Sequence, residues 1–90
     1  VKESEIIQNV NIYPNPGQRG EAINISLDME ENSDVNISVY DITGRLIDIQ
    51  NQNLTFGNNT FQLDAIFESG LYIMKLETKD GSIQKKFVVR

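Results

Sequence analysis

The chain contains no cysteine, no histidine and no tryptophan among its 90 residues, and only two prolines. Without cysteine there is no disulfide framework and no thiolate nucleophile, although such a chain is stable in either redox environment. Without histidine the usual general base and the commonest metal ligand are missing. Serine and threonine hydroxyls therefore have no imidazole to activate them, and no lysine sits in an obvious nucleophile motif. No glycine loop opens a helix to cradle phosphate, since Gly17 and Gly20 lie close to prolines. The acids do not cluster as a glycosidase pair would and read as solvated surface. Neither catalysis nor a cofactor is expected. No run approaches the ~20 apolar residues of a membrane-spanning helix, and no signal peptide opens at Val1. Basic residues are also scarce, 8 against 13 acidic, for a net charge of −5 and a pI near 4.5. That balance argues against a nucleic-acid partner.

What is present is alternation, with no helical period. The last quarter, from Gly70 to Arg90, organises the rest. Tyr72, Met74 and Leu76 alternate with Ile73, Lys75 and Glu77, the period of an extended chain. Asp80-Gly81 then signals a hairpin, because glycine adopts φ > 0 at little steric cost. With those two residues as the loop, Met74 faces Phe87, Tyr72 faces Val89, and Lys75 meets Lys86 as a mildly unfavourable pair. A three-residue loop would instead put Lys86 opposite Met74 and a charge in the apolar row. A lone hairpin is marginal in water and needs a surface to lie on.

The preceding chain supplies that surface. Residues 1–8 are polar and read as a linker, with the domain spanning 9–90. Val10 and Ile12 form a first short strand that stops at Tyr13-Pro14-Asn15-Pro16, where two prolines remove donors and stiffen the chain. Ile23, Ile25 and Leu27 point one way along the next strand. The acidic connection 28–34 resembles a calcium loop in spacing, but lacks its sixth-position glycine and distal glutamate. Val35, Ile37 and Val39 alternate before a turn at Asp41-Ile42-Thr43-Gly44. Ile47 and Ile49 return in phase, residues 51–59 read as an amide-rich loop, and Phe61 and Leu63 point inward. Residues 65–69 cross to the terminal hairpin. About seven short strands at roughly 10-residue spacing predict an all-β fold, an immunoglobulin-like antiparallel β-sandwich. Tyr72 enters its strand after a corner, and its hydroxyl is expected to bond backbone near residues 65–68.

Charge is uneven along the chain. Lys85, Lys86 and Arg90 fall in the last nine residues with no acid among them. One reading is a charged edge that discourages strand addition. The other is a basic handle for a partner.

Four motifs in order carry a family resemblance that spans Val10 to Arg90. These are Tyr13-Pro14-Asn15-Pro16; Val39-Tyr40-Asp41 with Gly44-Arg45; Gly70-Leu71-Tyr72; and Asp80-Gly81 followed by Lys85-Lys86-Phe87-Val88-Val89. The chain resembles the type A C-terminal sorting domain of type IX secretion cargo in Bacteroidota. Glu68 stands where the family often has proline. The resemblance implies a secretion signal rather than a catalyst. Such a domain ends a larger cargo protein that reaches the periplasm by its own signal. The outer-membrane type IX export machinery recognises it, and a sortase-like protease commonly removes it, leaving the cargo at the cell surface. Cleavage would fall before the first strand. The resemblance places partner recognition on Gly70, Tyr72, Gly81, Lys85, Lys86 and Arg90. Turn and corner geometry alone also explains Gly70, Tyr72 and Gly81. The alternatives are an immunoglobulin-like adhesion or carbohydrate-binding module, which the missing tryptophan disfavours, and a structural spacer, disfavoured by termination at Arg90.

Overall fold

Alternating apolar residues become strands wherever one of their faces can be covered. The computed structural model describes residues 3–63 and 67–90, and seven strands run through them: β1 (Ile7–Tyr13), β2 (Asn24–Met29), β3 (Ser33–Asp41), β4 (Leu46–Leu54), β5 (Gly57–Gln62), β6 (Gly70–Thr78) and β7 (Gly81–Val89). They form two antiparallel sheets packed face to face, one ordered β1-β2-β5 and the other β4-β3-β6-β7. The all-β sandwich expected from the spacing is what the chain adopts. Its centre is the fully buried set Ile23, Ile25, Leu27, Val35, Ile37, Val39, Met74, Leu76 and Phe87. Each such side chain contributes about 1.5–3 kcal/mol when fully withdrawn from water.

Four expectations change. The terminal hairpin turns one residue earlier than Asp80-Gly81: Thr78 pairs with Gly81, so Lys79 and Asp80 form the loop. The register then sets Tyr72 against Phe87, Leu76 against Ile83, and Met74 against Lys85, while Lys86 meets Ile73 and Lys75 meets Gln84. Sliding by two residues preserves which side chains face inward, so Tyr72, Met74, Leu76, Phe87 and Val89 are all buried. It also removes the Lys75–Lys86 clash. Lys85 takes the inward row, where β7 is an edge strand and the side chain remains exposed. Inward-pointing charge on an edge is one way such strands resist further pairing.

Ile49, expected inside, is 61% exposed on the outer face, opposite Ser38. The cause is a register shift between Val39 and Tyr40, which pairs Val39 with Asp48 but Tyr40 with Leu46. The extra residue, Ile47, packs toward the core and breaks the two-residue period that tied it to Ile49. Val10, Ile12 and Phe61 likewise pack against the core only partly buried.

Residues 51–59 are mostly strand rather than loop. The Asn51 side-chain amide donates to Asn36 Oδ1 at 2.7 Å and that of Asn53 to the Asp34 carboxylate at 2.7 Å, so side-chain amides hold β4 to β3 where apolar pairs are missing. The chain leaves one sheet at Leu54 and enters the other at Gly57. Residues 3–8, polar in composition, are not a free linker: Ile6 just before β1 and Ile7 at its start enter the core at 8% and 2% exposure, and the Ile6 carbonyl accepts from Glu30 N–H at 2.8 Å.

Candidate functional site

The candidate site is the β6–β7 hairpin, and its geometry starts at the corner before β6. The Tyr72 hydroxyl donates to the Glu68 carbonyl at 2.7 Å, the upstream backbone bond expected from the sequence. Burial raises the Tyr72 phenol pKa, with the Glu68 charge adding to the shift. The ring stacks on Phe87 at 5.4 Å and meets Phe67 at 5.1 Å, while Phe67 approaches Phe87 edge-on at 5.5 Å. A side chain added at Gly70 would reach the Tyr72 ring at an ordinary 3.7 Å. Gly70 and Tyr72 therefore build the corner, and Phe67, not recognised from the sequence, completes its aromatic cluster.

The turn at the other end of the hairpin ties the strand pair to the start of the chain. The Asp80 carboxylate accepts from the Thr78 hydroxyl, from the Ser4 hydroxyl at 2.8 Å and from Glu5 N–H at 2.9 Å. Ser4 N–H also donates to the Ser82 carbonyl at 3.1 Å, beside a parallel bridge between Glu3 and Ser82. Gly81 follows this turn, and its carbonyl accepts from the Thr78 hydroxyl at 3.3 Å. These donors, Thr78 foremost and then Glu5 and Ser4, lower the Asp80 pKa from 3.8 to about 2. The resulting stabilisation is present above about pH 4 and is lost as pH falls toward 2, because the unfolded carboxyl takes up its proton first. Asp80→Asn should therefore lower the urea midpoint at neutral pH and flatten its decline over that interval. The lowered carboxylates of Asp28 and Asp41 would preserve part of the slope.

The far end of β7 is clasped by the Tyr-Pro-Asn-Pro segment, whose two X-Pro bonds are cis. Asn15 accepts through its side-chain oxygen from Val88 N–H at 3.2 Å, and Gly17 N–H donates to the Val88 carbonyl at 2.8 Å. Arg90 N–H donates to the Gly17 carbonyl at 2.8 Å, and Arg19 N–H donates to the Arg90 carbonyl at 2.7 Å. The Asp41–Arg45 motif is likewise structural at close range. Asp41 accepts from Thr43 N–H, the Thr43 hydroxyl and Arg45 N–H, and pairs with Arg45 Nε at 3.2 Å. These bonds, Thr43's first, lower the Asp41 pKa, and Gly44 supplies the turn's φ of 90°.

The basic residues do not converge. Lys85 lies on the inward row at the open side of the sandwich, in a groove of about 550 Å³ lined by Glu3, Ile7, Val10 and Ile83 among others. Lys86 projects from the outer face beside Ile73, and Arg90 is held by its backbone in the clasp at the far end of β7. Along β7 the outward backbone groups belong to alternate residues: Ser82, Val88 and Arg90 use theirs in the two clasps. Gln84 and Lys86 occupy the same phase between them, leaving, among the described residues, a short length of open edge. Nothing in the sequence spacing reveals the clasps, because they join residues more than 70 positions apart.

A profile of the family described as "Secretion system C-terminal sorting domain" matches residues 11–90. No curated protein matches the chain. The family match covers β2 to β7 entirely and the last three residues of β1, including the segment that clasps the far end of β7 and the corner. The chain belongs to the C-terminal sorting domain family of type IX secretion.

Proposed function

We propose that the chain labels a longer cargo protein for passage across the outer membrane through the type IX system to the cell surface, and that the export machinery reads the β6–β7 hairpin. The family match over residues 11–90 carries the sorting role. The family consists of sorting signals rather than enzymes. Recognition at β7 is supported by its position at a sheet edge and by the unclasped stretch around Gln84 and Lys86. An extended segment of the partner would pair with this stretch and meet Lys86, with Lys85 and Arg90 to either side. A sortase-like protease acting upstream of β1 would then release the cargo.

The test uses the chain fused to a secreted reporter in cells that carry the export system, scored as reporter on the cell surface. Gln84→Pro removes an outward donor without removing a ladder bond; Lys86→Glu with Arg90→Glu reverses charge while leaving the core intact. Loss of display in either variant, with an unchanged urea midpoint, is the expected result. Normal display from both, alongside failure when the domain is deleted, would reject hairpin recognition and leave the sorting role standing. Normal display after deletion would reject the sorting role itself.

A further inference from the structure

The outer face of the β4-β3-β6-β7 sheet has no layer over it among the described residues. Register fixes what that face carries. One row runs Leu46, Tyr40, Ile73 and Lys86; the next runs Ile49, Ser38, Lys75 and Gln84; Leu71 and Val88 pair alongside. Leu46, Ile49 and Val88 are 49%, 61% and 37% exposed, so half of the face is an apolar band. Ser38 in its middle is only 8% exposed, closed over by its larger neighbours. The other half is polar, with Asn36 beside Asn51 and Glu77, and Asp34 beside Asn53. A soluble domain gains nothing from showing such a band to water, and contiguous exposed apolar surface marks sites of contact.

Charge narrows the occupant. In a chain of net charge −5, the apolar rows hold Lys75 and Lys86 and no acid. A second copy packed face to face would bring these lysines near their own images and repel. A surface with an apolar ridge flanked by carboxylates would cover the band and neutralise both cations.

We infer that this face docks an acidic-and-apolar protein surface, and that the partner belongs to the export machinery. The identity of the partner rests on the sorting role proposed above. The site is distinct from the β7 edge: Leu46 and Ile49 lie on β4, three strand spacings or roughly 14 Å away. A strand paired to β7 alone would not touch them.

One double variant and one single variant test this in the same reporter fusion. Leu46→Asp with Ile49→Asp places charge in the band; Lys75→Glu with Ile73 unchanged reverses one cation, paired with Lys75→Arg as the charge-preserving control. Leu46 and Ile49 are exposed, so the urea midpoint of the purified domain should hold. Surface display is expected to fall about tenfold or more for the aspartate pair and for Lys75→Glu, the scale of losing a central interface contact, and to survive Lys75→Arg. Normal display of the aspartate pair, with display lost on deleting the domain, would overturn the docking face while leaving the sorting role intact. Normal display of Lys75→Glu alone would overturn the acidic character of the partner. Sedimentation of the purified domain as a dimer that Ile49→Asp dissociates would overturn the occupant in favour of a second copy. Normal display after deletion of the domain would remove the sorting role and this partner together.

Discussion

Phe87→Ala is expected to lower the unfolding free energy by about 3–5 kcal/mol, the cost of deleting a buried aromatic ring whose site collapses only partly. Phe87 is 1% exposed and lies against two other rings, Tyr72 at 5.4 Å and Phe67 at 5.5 Å. Those contacts join the last strand to the corner that precedes β6, so truncation removes apolar burial and aromatic geometry together. Domains of this kind carry a total stability of about 5–15 kcal/mol, and the loss would consume a large share of it. Urea unfolding of the purified domain, followed by tyrosine fluorescence, measures the effect as a lower midpoint at constant slope. Ile49→Ala provides the contrast: the residue is 61% exposed, and its change should stay within about 0.5 kcal/mol.

The same ring limits how recognition can be tested. Removing residues 85–90 to ask whether the basic end is a handle also removes Phe87 and Val89, both in the core. Lost export would then follow from an unfolded domain as readily as from a missing handle. Substitutions at Lys86, Arg90 and Gln84 avoid this, because all three side chains are exposed.

How far the sequence could be followed depends on the range of the interactions. Two-residue periodicity is local, and it placed Ile23, Ile25, Leu27, Val35, Ile37, Val39, Met74 and Leu76 inside. The tyrosine corner was legible for the same reason, since Tyr72 and Glu68 are four residues apart. Periodicity failed at Ile49 because one bulge residue inverts the phase of everything beyond it. Composition failed at residues 51–59 because Asn51 and Asn53 stabilise strand pairing through side-chain amides. The hairpin register was missed by two residues because Lys79-Asp80 closes the turn, with Asp80 also held from outside the hairpin by Ser4 and Glu5. The family's motifs were visible as strings, whereas what they do in the fold is nonlocal. Asn15 and Gly17 secure the last strand, and Asp41 organises the turn to Arg45.

Gly17→Ala tests that reading of the Tyr-Pro-Asn-Pro segment. A Cβ at Gly17 would lie 2.7 Å from Ile23 Cδ1 and 3.3 Å from the Pro14 carbonyl oxygen. Ile23 is fully buried, so its methyl has little room to retreat, and the backbone of the clasp must move instead. Overpacking of this kind costs about 1–3 kcal/mol. The strain would fall on the bonds that Gly17 makes to Val88 and Arg90, each 2.8 Å long. Hydrogen exchange should therefore speed up first at the Gly17 and Arg90 amides, while Met74 and Leu76 at the centre of β6 retain protection close to that of the whole domain. Uniform acceleration across β6 and β7 would mean that the clasp unfolds with the core and has no separate role. Selective loss would show that the end of the edge strand is held by a loop some 70 residues earlier in the chain. In that case the proline-rich motif sets how much of β7 a partner finds ordered on arrival.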